Sequence, residues 1–291
     1  MPRDFSPFKN PAGEAFFLQA YDNVFNRWPV PYEALDIPTR FGRTHVNICG
    51  VPAAPPLILL PGNFASSTDW FHIIPGLVRT NRVYAVDVIG NAGKSVAERL
   101  PANRADYAEW LDDLRKGLRI EKTDLLGMSY GGFLAVNYAL RFPEHLHRLV
   151  LLCPGLPLAP FTIHWMIRGM PMMISSSRRA AEWFLAGASV KGFIRGDPVQ
   201  EAFIAGVTTL RSRSVMRPVI DQMEWKQLQA PVLLLVGEQE ILYDAQTALG
   251  RAKKLMPNVK IELVINAGHL LHLDQPDQIN KSILEFLGST G

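Results

Sequence analysis

Residue types that cooperate in nucleophilic catalysis stand in one order along this 291-residue chain. The segment Gly127-Met128-Ser129-Tyr130-Gly131-Gly132 follows the apolar run DLLGM and opens a helical pattern. A strand that turns so sharply into a helix needs small residues at its flanks and leaves the serine exposed at the tip. A serine hydroxyl is a weak nucleophile at its own pKa, so this chemistry needs a base and a group to orient the base. The base expected from the sequence is His269, in Asn266-Ala267-Gly268-His269-Leu270-Leu271-His272, because it follows the run IELVI and so lies on a loop beyond a strand end. His272, three residues on, is expected to pack or hydrogen bond locally, and His45, His72, His145, His147 and His164 lack a matching context. The orienting carboxylate should lie at another strand end, between serine and histidine. After VLLLVG three acids compete for that place: Glu238, Glu240 and Asp244.

These residues need strand ends to hold them, and the apolar pattern supplies them. Short continuous apolar runs recur at 57–60, 83–88, 124–128, 149–152, 232–236 and 261–265. Continuous rather than alternating runs mark strands buried on both faces, as in a parallel sheet. Helical patterns such as 105–118 and 129–142 lie between them, the second stopped by Pro143. Strands alternating with helices imply an α/β fold with a doubly wound, mostly parallel sheet. Two extended segments, Glu33 to Arg40 and Thr44 to Cys49, flank a turn at Gly42 and read as a hairpin. Phe17, Tyr21, Val24 and Trp28 form a helical stripe over 13–28, closed by Pro29 and Pro31. Residues 154–228 contain no convincing strand run but are rich in helix formers and hold six of the nine methionines. A structureless loop of that length is improbable in a compact domain. The expected organisation is therefore a core of 1–153 and 229–291 interrupted by a helical lid at 154–228.

Composition narrows the function classes. Thirty basic against 27 acidic residues leave a net charge of +3, with no basic run longer than two, which argues against a nucleic-acid partner. Cys49 and Cys153 are the two cysteines, too few and too far apart for a disulfide framework, and neither has a catalytic context. No apolar run reaches membrane-spanning length, and the first residues lack the apolar block of a signal peptide, so a cytoplasmic protein without a membrane partner is expected. Gly90-Asn91-Ala92-Gly93-Lys94-Ser95 imitates a phosphate-binding loop but has two residues rather than four between its first Gly and the Gly-Lys-Ser.

With these motifs in place, the chain resembles the α/β-hydrolase superfamily from about Tyr32 to Leu287, and within it the bacterial carboxylesterases, including the group related to naproxen esterase. The resemblance implies an eight-stranded sheet and a serine hydrolase that cleaves small-molecule carboxylic esters without cofactor or metal. It places the acid three residues after the glycine ending the penultimate strand, at Glu240, where many members have Asp; Asp244, at the start of the next helix, reads as a cap. The oxyanion hole is implied at the Tyr130 amide and in the loop Pro61-Gly62-Asn63-Phe64, where Pro61 replaces a common His. Gly62 is expected to permit close backbone approach. Asn63 is expected to donate, with Phe64 as fallback. Gly90–Ser95 then corresponds to the family's DxxGxGxS loop, with one residue more between Asp87 and Ser95.

Phe64, Met166, Met170 and Leu270 are the expected substrate contacts. Serine at the elbow argues against dehalogenase or epoxide hydrolase chemistry. Lipase, thioesterase, lactonase, carbon–carbon bond hydrolase and a hydrolase-derived ligand receptor remain alternatives. Residues 154–228 carry nine basic and five acidic residues, which suggests a pocket rim favouring neutral or anionic substrates.

Overall fold

The computed structural model describes residues 5–155, 158–211 and 220–288. Nine strands form one sheet: β1 (Tyr32–Thr39), β2 (Gly42–Cys49), β3 (Pro56–Leu60), β4 (Arg82–Val86), the two-residue β5 (Val96–Ala97), β6 (Thr123–Met128), β7 (Leu146–Leu152), β8 (Val232–Gly237) and β9 (Val259–Val264). The order is β1-β2-β4-β3-β6-β7-β8-β9, with β5 paired to β2 beside this eight-stranded path. From β4 to β9 all neighbours are parallel, and the β1–β2 hairpin joins antiparallel at one edge. The central strands β6 and β8 are buried at every residue, which accounts for their unbroken apolar runs, while β1 and β9 are only partly buried at the edges.

The helices are α1 (Pro11–Phe25), α2 (Ile74–Leu77), α3 (Arg104–Gly117), α4 (Tyr130–Arg141), α5 (Ile163–Ser175), α6 (Arg178–Ala188), α7 (Pro198–Thr209), α8 (Gln222–Lys226), α9 (Ala245–Leu255), α10 (Leu271–Asp274) and α11 (Pro276–Gly288). No described helix is long and apolar enough to cross a membrane. Helix α1 begins earlier than its apolar stripe, since the Asn10 side chain accepts from the Gly13 amide and Pro11 takes the first helical position. It also ends three residues before Trp28, where the chain turns and the indole stacks on Phe25 at 4.6 Å.

Helices α5 to α8 all lie between β7 and β8. Arg213 and Arg217, part of the basic excess of this stretch, lie outside the described residues. The N-terminal segment is tied to this insertion. Phe8 bridges Leu210, the Lys9 amide donates to the Thr209 carbonyl at 2.9 Å, and Arg211 Nε donates to the Phe8 carbonyl at 2.7 Å.

Candidate active site

Four loops meet at the carboxyl ends of parallel strands β3, β6, β8 and β9, the end at which open α/β sheets bind ligands. The first is the turn from β6 into α4. Ser129 holds φ 48° and ψ −112°, a conformation that costs a non-glycine residue energy and must be held by its surroundings. Three amides on the Ser129 carbonyl provide that restraint: Gly155 at 2.8 Å, Gly132 at 3.0 Å and Phe133 at 3.3 Å. The glycines are required by contact. A Cβ at Gly131 would lie 1.8 Å from the Leu60 carbonyl oxygen, and one at Gly127 would lie 2.4 Å from that of Gly131.

Glu240 and His269 face each other across the ends of β8 and β9. His269 Nδ1 lies 2.8 Å from Glu240 Oε2, while Glu240 Oε1 accepts the Leu242 amide at 2.7 Å. The Glu240 side chain has no exposed surface and that of His269 has 5%. With Glu240 accepting from Nδ1–H, the proton-free Nε2 is the histidine's basic nitrogen. The competing acids do other work. Exposed Asp244 caps α9 through the Thr247 amide at 2.8 Å, and the Thr247 side chain, followed by this amide, lowers its pKa. Glu238, also exposed, accepts the Asn266 amide at 3.2 Å.

The amides on either side of His269 are both held. Gly268 donates to Asp274 Oδ2 at 2.8 Å, and Leu270 donates to the Ala188 carbonyl, at the end of α6, at 2.9 Å. Asp274 is buried and also accepts from Ser189 Oγ at 2.5 Å and the Val190 amide at 3.2 Å. The insertion between β7 and β8 is thereby joined directly to the histidine loop.

The loop after β3 is braced by Asn91, whose Oδ1 accepts the Phe64 amide at 3.1 Å and whose Nδ2 donates to the carbonyls of Gly62 at 3.1 Å and Ala65 at 3.3 Å. Phe64, the fallback donor expected from the sequence, therefore has its N–H committed. The Asn63 and Tyr130 amides make no hydrogen bond to the described residues. A Cβ at Gly62 would meet Ser129 Cβ at 3.7 Å, so glycine here keeps the space beside the serine open. The loop that imitates a phosphate-binding motif supplies this brace, with Ser95 Oγ donating to the Asp87 carbonyl at 2.6 Å.

A cavity with about 510 Å³ of empty space, part of it open to solvent, lies over these loops, lined by Asn63, Phe64, Ser129, His269 and Leu270 among others. Its outer wall is apolar and comes from the insertion: Trp165 and Met172 of α5, Phe184 of α6 and Phe203 of α7. The sequence expectation for Met166 and Met170 needs correction. Both are exposed and neither lines the cavity, because Trp165, Gly169 and Met172 form the inward stripe of α5 and put 166 and 170 out of phase with it. No described Lys or Arg appears in the lining: Arg178 pairs with Glu182 and Glu201, and Lys191 Nζ donates to the Leu273 carbonyl.

Cys153, given no role from the sequence, follows β7 with φ 38° and stands behind the Glu240–His269 pair, one ligand-type atom from each residue lying within 4.8 Å of the others. Burial, and then the Glu240 charge, push its thiol well above the ordinary range, so it remains protonated.

Comparison with known proteins gives a consistent assignment. A family profile described as alpha/beta hydrolase family matches residues 57–282. The carboxylesterase YbfK of Bacillus subtilis is 37% identical over 278 residues, covering 93% of each chain. Its crystal structure superposes with a TM-score of 0.89 over 96% of this chain and 100% of its own. The crystal structure of naproxen esterase from the same organism gives the same score and the same coverage at 33% identity.

Proposed function

The chain belongs to the alpha/beta hydrolase family, and from that premise we propose that it hydrolyses carboxylic esters through a Ser129–His269–Glu240 triad. The observation that carries the mechanism is the buried 2.8 Å contact between His269 Nδ1 and Glu240 Oε2, behind a cavity that His269 and Ser129 both line. Ser129 Oγ attacks the ester carbonyl carbon while His269 Nε2 takes its proton. Collapse of the tetrahedral intermediate breaks the bond to the alcohol oxygen, which leaves with that proton. Water, activated by the same nitrogen, then attacks the acyl-enzyme, releasing the acid and restoring Ser129. Glu240 fixes the tautomer and stabilises the imidazolium. The uncommitted amides of Asn63 and Tyr130 serve as oxyanion donors, each worth about 3 to 4 kcal/mol of transition-state stabilisation. Residues 154–228 act as the lid whose apolar inner face holds the substrate's hydrocarbon part, supported by Trp165, Met172, Phe184 and Phe203 in the cavity wall.

The test is pre-steady-state hydrolysis of p-nitrophenyl butyrate. A burst of p-nitrophenol equal to the enzyme concentration is expected if deacylation is the slower step, together with a Ser129-linked adduct from an alkyl phosphonate. Parent-rate turnover by Ser129→Ala, or an adduct on another residue, overturns the assignment.

A further inference from the structure

One charged side chain in the cavity wall has no part in the proposed chemistry. Asp69 lies on the short turn Ser67–Trp70 and lines the cavity together with Ser129 and His269. Its side chain is 10% exposed and is reached by one side-chain partner, His272 Nε2, 3.2 Å from Oδ1. The His272 ring is wholly buried and its Nδ1 has no partner, so Nε2 carries the proton and donates it to Asp69. The other carboxylate oxygen, Oδ2, accepts no hydrogen bond from the described residues. Ionised, such a group has about four acceptor positions, and Oδ2, which is not fully buried, remains open to a ligand in the cavity beside Trp165, Met172 and Phe184. The wall thus offers an acceptor within the same cavity as the reacting pair, and no described Lys or Arg lines that cavity.

We propose that Asp69 is a specificity-determining residue that selects esters carrying a hydrogen-bond donor, a hydroxyl or a protonated amine, over alkyl analogues and against anionic ones. The inference rests on the ester-hydrolase reading and names the substrate class of that site. It reverses the charge preference suggested by the overall balance of residues 154–228. His272 is the positioning residue: its N–H holds Oδ1 and leaves Oδ2 for the ligand.

Asp69→Asn is the appropriate change, because the amide oxygen can keep the His272 bond while the amide nitrogen, a donor, replaces Oδ2. kcat/KM is measured for p-nitrophenyl esters of matched acyl length that are alkyl, hydroxylated, ammonium-bearing or carboxylate-bearing. The parent enzyme should prefer the best donor-bearing ester over the alkyl ester by about tenfold or more, the scale of a hydrogen bond to a charged group, and take the carboxylate-bearing ester last. In Asp69→Asn this preference should fall to within about threefold. Absence of donor preference in the parent enzyme, or an unchanged preference in the variant, overturns the proposal. A readout independent of turnover separates it from the reading beneath it: calorimetric binding of butylammonium, compared with butyrate, to Ser129→Ala. Binding of butylammonium that disappears in Ser129→Ala/Asp69→Asn supports Asp69 even if no ester is cleaved, a result that would remove the hydrolase reading alone. Equal binding with and without Asp69 removes the specificity proposal alone.

Discussion

Glu240→Gln tests the triad at the atom on which it depends. The substitution keeps size and shape, and the two neighbours of the carboxylate constrain the amide. If its oxygen stays on the Leu242 amide, now 2.7 Å from Oε1, its NH2 group faces His269 Nδ1. Nδ1 must then accept, the imidazole proton moves to Nε2, and the nitrogen that should receive the serine proton is already protonated. If the amide flips, two donors oppose each other at Leu242 in a pocket that leaves Glu240 no exposed side-chain surface, at a cost of about 1 to 3 kcal/mol. Either orientation also removes the negative charge that steadies the imidazolium. The expected result is a loss of kcat of about 10⁴-fold, or about 5 kcal/mol of barrier, the scale of such a change in a serine triad. KM should change by less than about threefold, because Glu240 does not line the cavity. Steady-state hydrolysis of p-nitrophenyl butyrate measures both constants, with Ser129→Ala giving the background. Asp244→Asn is the control, since that acid caps α9; a small fall in Tm with kcat retained is expected. A Glu240→Gln enzyme within tenfold of the parent kcat, or a greater loss in Asp244→Asn, refutes the assignment.

Gly206→Ala perturbs the loop after β3 from a distance: the new Cβ would lie 2.1 Å from the Phe64 carbonyl oxygen, so the loop or α7 must shift. A fall in kcat of about 10- to 100-fold with unchanged far-UV circular dichroism is expected, whereas Gly250→Ala, where a Cβ meets nothing within 4 Å, should leave kcat alone. Asp124, whose buried Oδ1 has no partner, has its pKa raised to about 6 by burial, with Arg148 opposing, so the folded protein holds this proton up to a higher pH than the unfolded chain does. Its contribution to stability therefore declines as pH rises from about 4 to 6, and Asp124→Asn should stabilise the protein at pH 7 by up to about 3 kcal/mol, with the gain gone at pH 3.5 in urea unfolding curves.

What could be read from the sequence follows from which signals are local. The runs at 57–60 and 232–236 match β3 and β8 because a strand covered on both faces must be apolar throughout. Ser129 was legible for a similar reason: a turn as tight as this one needs small neighbours at fixed offsets. Met166 and Met170 misled because methionine content does not give helical phase; the inward stripe starts from Trp165, and the phase of α5 depends on what it packs against. Asn91, Cys153, Asp274 and Gly206 carry no local signature of their roles. Asn91 acts on a loop 27 residues away and Asp274 on Ser189, 85 residues away, and such pairings exist only once the sheet has brought the loops together. The basic excess is a count without orientation: Arg178 and Lys191 are engaged in contacts within the fold, and no described Lys or Arg lines the cavity.

These long-range contacts constrain how the site can open. Helix α6 ends on the histidine loop through Ala188 and, by way of Ser189 and Val190, through Asp274. Helix α7 approaches the loop after β3 so closely at Gly206 that a methyl group cannot fit, and its end is tied to the N-terminal segment through Leu210 and Arg211. Moving either helix outward would disturb the residues proposed for proton transfer or for the oxyanion. Helix α5 is different. It contributes Trp165 and Met172 to the wall, exposes Ile163, Met166, Ile167, Met170 and Ile174 on its other side, and packs mainly on α6. Its hydrogen bonds to the core strands' loops are confined to its N-terminal end, where the Thr162 amide donates to the Leu242 carbonyl at 2.9 Å and the Thr162 hydroxyl donates to the Ile241 carbonyl. Displacing α5 beyond its N-terminal end would leave the histidine loop and the loop after β3 in place, although Thr162 ties that end to the loop bearing Glu240, whereas lifting the whole insertion would disturb all three. The architecture therefore assigns adaptability to the methionine-bearing wall and fixed geometry to the helices that touch the histidine and oxyanion loops.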